Sequence, residues 1–301
     1  MKPEIERAVD WPWLEGILAC PACHGALART GATGDRGTFA CSACGLDFTP
    51  NADTRSLDFR RSRQSTLTFQ TGIGRYAELW NRVPKDPPAI TFHGHVPSRA
   101  SRHFVSVLKD RISPGGSVID LGCGAGDHRG PVQSIGMRYV GLDYGHAGAD
   151  LFADAHALPL RDAAADAVIM HALSQALENP FVGFAEAVRV LKPGGWLLGT
   201  ADSGATFADS FFNMTPWGVL SVLGAQGVSV ERMWLTKDAL LYFGTNPGYP
   251  RVIRSILRAL SRVAKVSWLT PRRAMSGTPR DEFITAGSLA FIGRKPPAPR
   301  H

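Results

Sequence analysis

Short apolar runs separated by turn residues dominate the middle of the chain. The run 118–121 carries Val, Ile and Leu around one acid, and the runs 138–142 and 166–170 are also short and mostly apolar. Such runs predict buried strands. Over 98–111 and 249–266, apolar residues recur instead at steps of three and four, which predicts helices. The pattern therefore favours an α/β fold with a further helix near the end of the chain.

The first predicted strand leads into a loop with glycine at every second position, namely Gly122, Gly124 and Gly126. Glycine accepts a positive φ angle and lets a ligand approach the backbone closely. A dinucleotide-binding loop would need glycine at the position of Asp127, and a phosphate-binding P-loop would end in Gly-Lys-Ser or Gly-Lys-Thr. The sequence has neither ending. The loop is therefore predicted to bind a different ligand.

Four motifs over residues 117–200 resemble the class I methyltransferases of the type 11 group, which use S-adenosyl-L-methionine (SAM). They are the glycine loop, the strand that ends at Asp143, the segment 154–159 and the segment 186–199. The resemblance implies a doubly wound, Rossmann-like sheet of seven strands in a domain over 114–295. The implied cofactor-binding residues are Asp120, Gly122, Gly124 and Gly126 near the methionine part, Asp143 at the ribose with Tyr144 beside it, Asp154 and Ala155 at the adenine, and His171 after the fourth strand.

The chain departs from this resemblance after the fourth strand, where many relatives carry a histidine and this chain has Ala176. A general base at that position is therefore absent, so another group removes the proton or no base is needed. Both alternatives are compatible with methyl transfer, which depends mainly on aligning the acceptor and excluding water. Sequence order gives four alternatives for a catalytic group, His171, Tyr76, His93 and His95, of which we select His171 and Tyr76.

Four cysteines near the start of the chain form two Cys-x-x-Cys pairs, and they are Cys20, Cys23, Cys41 and Cys44. Four thiolates at this spacing are typical of a tetrahedral structural zinc site. The alternatives are a redox site, which needs only one pair, and disulfides, which are rare in a reducing compartment. The pattern resembles the zinc ribbon of small activator subunits of tRNA and protein methyltransferases and, more loosely, the zinc module of an rRNA guanine methyltransferase family. We predict a zinc ribbon over 14–52 that the metal stabilises.

Composition limits the compartment and the class of protein. The 301 residues, 44% of them hydrophobic, suit one large domain with an appendage. No apolar run reaches the ~20 residues that span a bilayer, and acidic residues interrupt the region where a signal peptide would lie. We therefore expect a cytoplasmic protein without a membrane partner. The fifth cysteine, Cys123, lies in the glycine loop and is expected to fill a tight turn rather than to act as a nucleophile.

The net charge of +7 is concentrated at the end of the chain. Residues 251–301 hold eleven Lys and Arg against two acids, whereas residues 1–250 hold 22 basic and 24 acidic residues. Arginines also recur at steps of three and four along the predicted helix 249–266, beside a face of apolar residues. This stripe is compatible with nucleic acid, with an acidic substrate, or with water alone.

The sequence as a whole favours a SAM-dependent methyltransferase that acts on a small molecule, such as a natural product or another metabolite. The chain after the fifth strand is apolar enough to cover a pocket, and the aromatic segment 69–80 within a connecting region 53–113 would close it. The zinc ribbon and the basic end favour an rRNA or tRNA methyltransferase as the alternative. A non-catalytic SAM-binding scaffold and a SAM-dependent reaction other than methylation stay open. The sequence does not predict the oligomeric state.

Overall fold

The computed structural model describes residues 9–30, 37–54, 56–60, 91–92, 100–203, 211–245, 248–266 and 286–298. The strands within these ranges are β1 (Leu27–Thr30), β2 (Thr38–Cys41), β3 (Asp47–Phe48), β4 (Leu57–Asp58), β5 (Thr91–Phe92), β6 (Ser117–Leu121), β7 (Arg138–Asp143), β8 (Leu151–Phe152), β9 (Ala165–Met170), β10 (Leu191–Asp202), β11 (Ser229–Asp238) and β12 (Ala286–Arg294). The helices are α1 (Trp11–Ile17), α2 (Ala100–Arg111), α3 (Arg129–Ser134), α4 (Pro180–Val190), α5 (Pro216–Ala225), α6 (Ala239–Thr245) and α7 (Arg251–Val266), with a 3-10 helix at Ser174–Ala176.

Nine of the described strands form one sheet in the order β4-β8-β7-β6-β9-β10-β12-β11-β5. Strand β12 runs antiparallel to both of its neighbours, and the other pairs are parallel. Strand β6 lies centrally, with β7 and β8 added on one side and β9 and β10 on the other, as in doubly wound α/β folds. The predicted Rossmann-like fold is confirmed. Seven strands from β8 to β11 form the body of the sheet, and β4 and β5 extend its two edges.

Alternate side chains of the strands fill both faces of this sheet, because successive residues of a strand point to opposite sides. On one face, Ile119 and Val168 pack in a cluster with buried residues of α4 and α5. On the other face, Val118 packs with Phe104 of α2 and Val132 of α3. Helices on both faces of a largely parallel sheet leave its carboxyl edge open for a ligand.

An N-terminal module, residues 9–30, 37–54 and 56–60, packs directly on the first of these cores. It contains α1, the three-stranded antiparallel sheet β1-β2-β3 and the edge strand β4. Leu14 and Phe39 of this module are buried in the same cluster as the residues of the large sheet. The strands that carry Phe39 and Phe48 therefore share a core with the α/β body.

The segment that follows the ribbon is partly built into the sheet. Leu57 is fully buried and pairs in parallel with Leu151 at the edge of the sheet. The Ser56 hydroxyl donates a hydrogen bond to the Ala149 carbonyl at 2.8 Å. These residues fall inside the predicted connecting region 53–113, whose boundaries, like those at 14–52 and 114–295, stay predictions.

The chain just before α5 is not helical, because residues 211–214 are extended or bent. Helix α5 begins at Pro216, whose fixed φ suits a first helical position, and the Thr215 hydroxyl accepts a hydrogen bond from the Gly218 amide at 3.1 Å. Among the described residues, no helix combines the length and the apolar character that crossing a bilayer requires.

Candidate functional site

The glycine loop follows β6 at the carboxyl edge of the sheet. The amides of Gly122 and Cys123 donate to the Leu142 carbonyl at 2.8 and 3.0 Å, which ties the loop to the neighbouring strand β7. Gly122, Gly124 and Gly126 all have positive φ angles. At Gly124 a side chain would meet no atom within 4 Å, so the bare backbone faces open space where a ligand can approach it.

Asp143 lies at the end of β7 with both carboxylate oxygens held by backbone amides. One oxygen accepts from Gly124 at 3.0 Å, and the other accepts from Gly145 and His146, each at 3.0 Å. These three donors fix the carboxylate between the glycine loop and the turn after β7. A carboxylate has lone pairs for about four hydrogen bonds, so it keeps the capacity to accept from a ligand hydroxyl.

A cavity of about 360 Å³ opens beside this carboxylate. Its described lining contains three acidic residues and no Lys or Arg. The lining residues are Leu121, Gly122, Leu142, Asp143, Tyr144, Ala153, Asp154, Ala155, His156, Leu158, Ala172, Leu173, Ala176, Leu177 and Glu178. Such a chamber suits a nucleoside without phosphate, because hydroxyl and amino groups donate to carboxylates whereas a phosphate would be repelled. The residues present therefore fit the adenosyl part of SAM.

The segment predicted to meet the adenine forms one wall of this cavity. Asp154 and Ala155 both line it. The Asp154 carboxylate lies 2.7 Å from Nδ1 of His156, and Nε2 of that ring accepts from the Asn179 amide at 3.1 Å. The sequence did not single out His156, which joins the wall to the start of α4.

Asp120, unlike the other predicted cofactor residues with polar side chains, is sealed beneath the loop. Its carboxylate accepts from the Tyr139 hydroxyl at 2.6 Å and lies 3.1 Å from Nδ1 of His128, and all three side chains are buried. A contact between the loop and the methionine part would therefore use the loop backbone rather than this carboxylate. The sequence analysis missed His128 as a partner of Asp120, although its position directly after the glycine loop was the available signal.

A buried ion pair also supports this loop from below. Arg129 donates through Nη2 to the Asp150 carboxylate at 2.6 Å, and the same oxygen accepts from the Gly141 amide at 2.9 Å. The guanidinium also stacks on the Tyr139 ring, with 4.7 Å from its carbon to the ring centroid. Both charges are buried and mutually neutralised, which is how proteins tolerate ions in their interior. This pair holds β7 and the turn before β8 in fixed positions.

His171 lies at the end of β9, where the resemblance placed it. Its ring packs edge-on against Phe104 and His128, with centroids 6.2 and 5.1 Å apart. Burial, followed by the nearby His128, lowers the pKa of His171, so its neutral imidazole is favoured at neutral pH. A neutral imidazole can accept a proton. The other selected catalytic residue, Tyr76, and the alternatives at positions 93 and 95 lie outside the described residues.

We expect this lowered pKa to make the protein less stable in mild acid. Below a pH of about 6.5 the unfolded chain protonates His171 before the folded protein does, so the free energy of unfolding falls with pH. His171→Gln should reduce that fall, measured by urea unfolding at neutral pH and at about pH 5.5. His24→Asn is the matched control, because this histidine is exposed and has a positive φ that Asn tolerates. An equal fall in both variants would contradict the prediction.

The residue after His171 is held in an unusual backbone conformation. Ala172 has a φ of 55°, which is uncommon for a residue with a side chain. Its amide donates to the Thr200 hydroxyl at 2.8 Å, and its carbonyl accepts from the Gln175 side chain at 2.8 Å. Such strain persists only where surrounding contacts enforce it, and it is concentrated at functional sites. Ala172 and Ala176 both line the cavity.

Cys123 is buried in the glycine loop, as expected for a residue that fills a turn. Burial, together with the nearby carboxylates led by Asp120, raises the pKa of its thiol well above the usual range. The thiol is therefore protonated at neutral pH and is a poor nucleophile.

The four ribbon cysteines converge on one point. Their sulfur atoms all lie within 4.8 Å of one another, with Cys20 and Cys44 at 3.6 Å and Cys23 and Cys41 at 3.5 Å. Zn–S bonds of about 2.3 Å in a tetrahedron place sulfurs roughly 3.8 Å apart, so the donor set and its spacing fit zinc. The thiols are free rather than paired in disulfides.

The N-terminal module also contacts the walls of the cavity from outside. The Ala19 amide donates to the Pro159 carbonyl at 3.0 Å, and the Arg161 amide donates to the Ile17 carbonyl at 2.8 Å. On the other side, the guanidinium of Arg60 donates to the Tyr144 carbonyl at 2.9 Å. The module therefore contacts the chain next to both the predicted adenine and ribose contacts.

Comparison with known proteins agrees with this geometry. A family model described as a methyltransferase domain matches residues 119–199. A curated relative from Streptomyces fradiae, an uncharacterized 37.1 kDa protein in transposon TN4556, is 32% identical over 118 residues. That alignment covers 33% of this chain and 34% of the relative, so the chain spans about a third of the length of the curated relative it matches.

Three solved structures illustrate the likeness of the fold. A SAM-dependent methyltransferase from Archaeoglobus fulgidus has 15% identity and a TM-score of 0.42, with 65% of this chain and 94% of that chain covered. Phosphoethanolamine N-methyltransferase 2 from Haemonchus contortus, in complex with SAM, has 15% identity and a TM-score of 0.42, with 65% and 52% covered. A chain from a complex of the Haloferax volcanii Trm112 methyltransferase activator with a methyltransferase has 16% identity and a TM-score of 0.43, with 67% and 96% covered. Because these TM-scores are low, the fold assignment rests on the strand order described above and not on these three structures.

The strand order, the glycine loop and the cavity all lie in or next to the part of the chain that the family model matches. Residues 119–199, which contain the glycine loop and the cavity lining, therefore match a methyltransferase domain and lie within a doubly wound α/β sheet.

Proposed function

We propose that this protein transfers the methyl group of SAM to a small-molecule acceptor. The observation that carries the proposal is the cavity beside Asp143, whose acidic lining disfavours phosphate. The adjacent loop has no side chain at Gly124, so a ligand can approach its backbone. Bound SAM supplies a methyl group already activated on a sulfonium. In our proposal Asp143 accepts from the ribose hydroxyls, with Tyr144 beside it, and Asp154 and the Ala155 amide meet the adenine.

The proposed acceptor site lies beyond the cavity, around His171. The neutral imidazole would accept a proton from the acceptor, and its packing against Phe104 and His128 would fix the orientation of the ring and exclude water. On the same side, burial and Asp202 raise the pKa of Tyr242 to about 12. The Tyr242 hydroxyl lies 3.4 Å from Asp202, so it stays protonated and able to donate.

The charges around His171 support a small molecule over RNA. Two carboxylates that act on its ring, Asp202 and Asp127, are at least partly exposed. A nucleic acid backbone carries one negative charge per phosphate, and these carboxylates would repel it. Incubation with labelled SAM and separate pools of metabolites, rRNA and tRNA tests this choice. Label in a metabolite supports the proposal, label in RNA overturns the acceptor class, and SAM binding without any transfer favours a scaffold.

We expect Asp143→Ala to weaken SAM binding by roughly tenfold to a hundredfold, because hydrogen bonds to a charged group contribute about 1.5–3 kcal/mol. Isothermal titration calorimetry measures the change in dissociation constant. Asp53→Ala removes an exposed aspartate from the N-terminal module and serves as the matched control. An unchanged SAM affinity in the Asp143 variant would remove the ribose assignment.

A further inference from the structure

Helix α7 presents its apolar side to solvent. Four large aliphatic residues on one face, Val252, Ile253, Ile256 and Leu260, are 70%, 43%, 53% and 48% exposed. Surface helices of globular proteins normally turn this face toward the core. Large exposed apolar patches on soluble proteins mark interaction sites. The described part of the chain therefore leaves the apolar face of α7 without a partner.

The opposite edge of the helix is the one that packs on the body. Ser261 is buried, and Arg254 and Leu257 are partly buried, at steps of three and four residues that define one strip. A side chain at Gly244 of α6 would lie 2.9 Å from Cγ of Arg258, so the two helices approach closely there. Helix α7 therefore docks through the strip of Arg254, Leu257 and Ser261, and its four exposed aliphatic residues lie on a different part of its surface.

The charge on this helix is uniform in sign. Helix α7 contains four Arg and one Lys and no Asp or Glu. Arg251, Arg258 and Arg262 are exposed on the helix next to the apolar face. A helix with aliphatic residues on one side and basic residues on the other, lying in the plane of a membrane surface, is attracted to anionic lipids.

We propose that α7 binds the surface of an anionic lipid bilayer, with its aliphatic face among the acyl chains and its arginines at the headgroups. This proposal does not depend on the proposed function. The sequence led us to expect no membrane partner because no run spans a bilayer, but a helix that lies on the surface needs no such run.

Two other occupants fit the charges less well. A second copy that packed through the same face would bring arginines of both copies together without an acid in the helix to neutralise them. RNA would neutralise the arginines but would leave Ile256 and Leu260 in water. An anionic bilayer is complementary to both the charge and the apolar face.

Co-sedimentation of the full chain with vesicles tests the proposal. We expect binding to phosphatidylcholine vesicles that contain phosphatidylglycerol and little binding to phosphatidylcholine alone. The double variant I256S/L260S should weaken the binding by about tenfold or more, because the free energy of membrane binding scales with the apolar area buried in the bilayer. R251Q/R262Q should weaken it by about fivefold per arginine, on anionic vesicles only. Far-ultraviolet circular dichroism checks that both variants stay folded.

The matched control is F181S/V182S, which removes two comparably exposed apolar residues from α4. This control should bind anionic vesicles like the unmodified protein. Absence of vesicle binding overturns the proposal, as does binding that survives I256S/L260S. Concentration-dependent self-association that I256S/L260S abolishes would assign the face to a second copy. Salt-sensitive RNA binding without vesicle binding would assign the arginines to nucleic acid.

Discussion

Gly148→Ala is expected to abolish measurable SAM binding while leaving the protein folded. The backbone of Gly148 lies directly against the glycine loop, so an added Cβ would collide with the Gly124 carbonyl and would lie 2.7 Å from two backbone atoms of Ala125. Backbone atoms cannot rotate aside as a side chain can, so the loop must move. If the loop moves, the hydrogen bond from the Gly124 amide to Asp143 breaks. The loop and the carboxylate, which are proposed to hold the cofactor, then lose their relative positions.

Gly130→Ala provides the control for this variant. Gly130 lies in α3, four residues after the loop, and a Cβ there would meet no atom within 4 Å. Alanine also favours a helix over glycine by about 1 kcal/mol, so this variant should bind SAM normally and be at least as stable. Calorimetry with SAM gives the affinities and thermal unfolding gives the stabilities. Normal SAM affinity in Gly148→Ala would show that the loop does not contact the cofactor.

The sequence predicted those parts of the site whose residues lie close together along the chain. The loop from Gly122 to Gly126 and the acid at Asp143 each follow a buried strand, and a strand ending in a polar residue is a local pattern. The family resemblance supplied the roles. The structure then brings the loop and the acid together through a hydrogen bond between Gly124 and Asp143.

The parts that sequence analysis missed depend on contacts between distant residues. Position 148 requires glycine because a side chain there would collide with the backbone of Gly124. The two residues are 24 apart in sequence, and no local pattern marks their contact. The pairing of Asp120 with His128 is closer in sequence, but it also needs Tyr139 from the next strand to complete it. Strand β4 has only two residues, so it is too short to show a hydrophobic period in the sequence.

The sequence also left open how the ribbon relates to the cofactor site. Two groups of contacts now connect them. Leu18 pairs with Leu160, and its carbonyl accepts from Nε of Arg161 at 3.2 Å, directly after the proposed adenine segment. On the other side, Arg60 stacks on the Phe152 ring, with 4.6 Å to the centroid, and its guanidinium donates to the Tyr144 carbonyl. The N-terminal module therefore braces two segments that line the cavity, one through the ribbon and one through Arg60.

Cys41→Ser should release zinc and weaken SAM binding, even though no ribbon cysteine lines the cavity. The metal would hold the two Cys-x-x-Cys turns together, so losing a ligand frees the backbone around Cys20. The Ala19 amide then no longer holds the Pro159 carbonyl, and the cofactor must order the adenine segment when it binds. Because ordering a residue costs about 1–2 kcal/mol, the SAM dissociation constant should rise by about fivefold to thirtyfold.

Ser42→Ala is the matched control, since Ser42 is exposed in the same turn and is not a ligand. It should keep one zinc per chain by elemental analysis and an unchanged SAM affinity by calorimetry. If Cys41→Ser keeps its zinc, the ligands are misassigned. If it loses zinc and still binds SAM as tightly as the unmodified protein, the ribbon does not brace the cavity. Because metal content and SAM affinity are measured without a turnover assay, the result does not depend on the identity of the methyl acceptor.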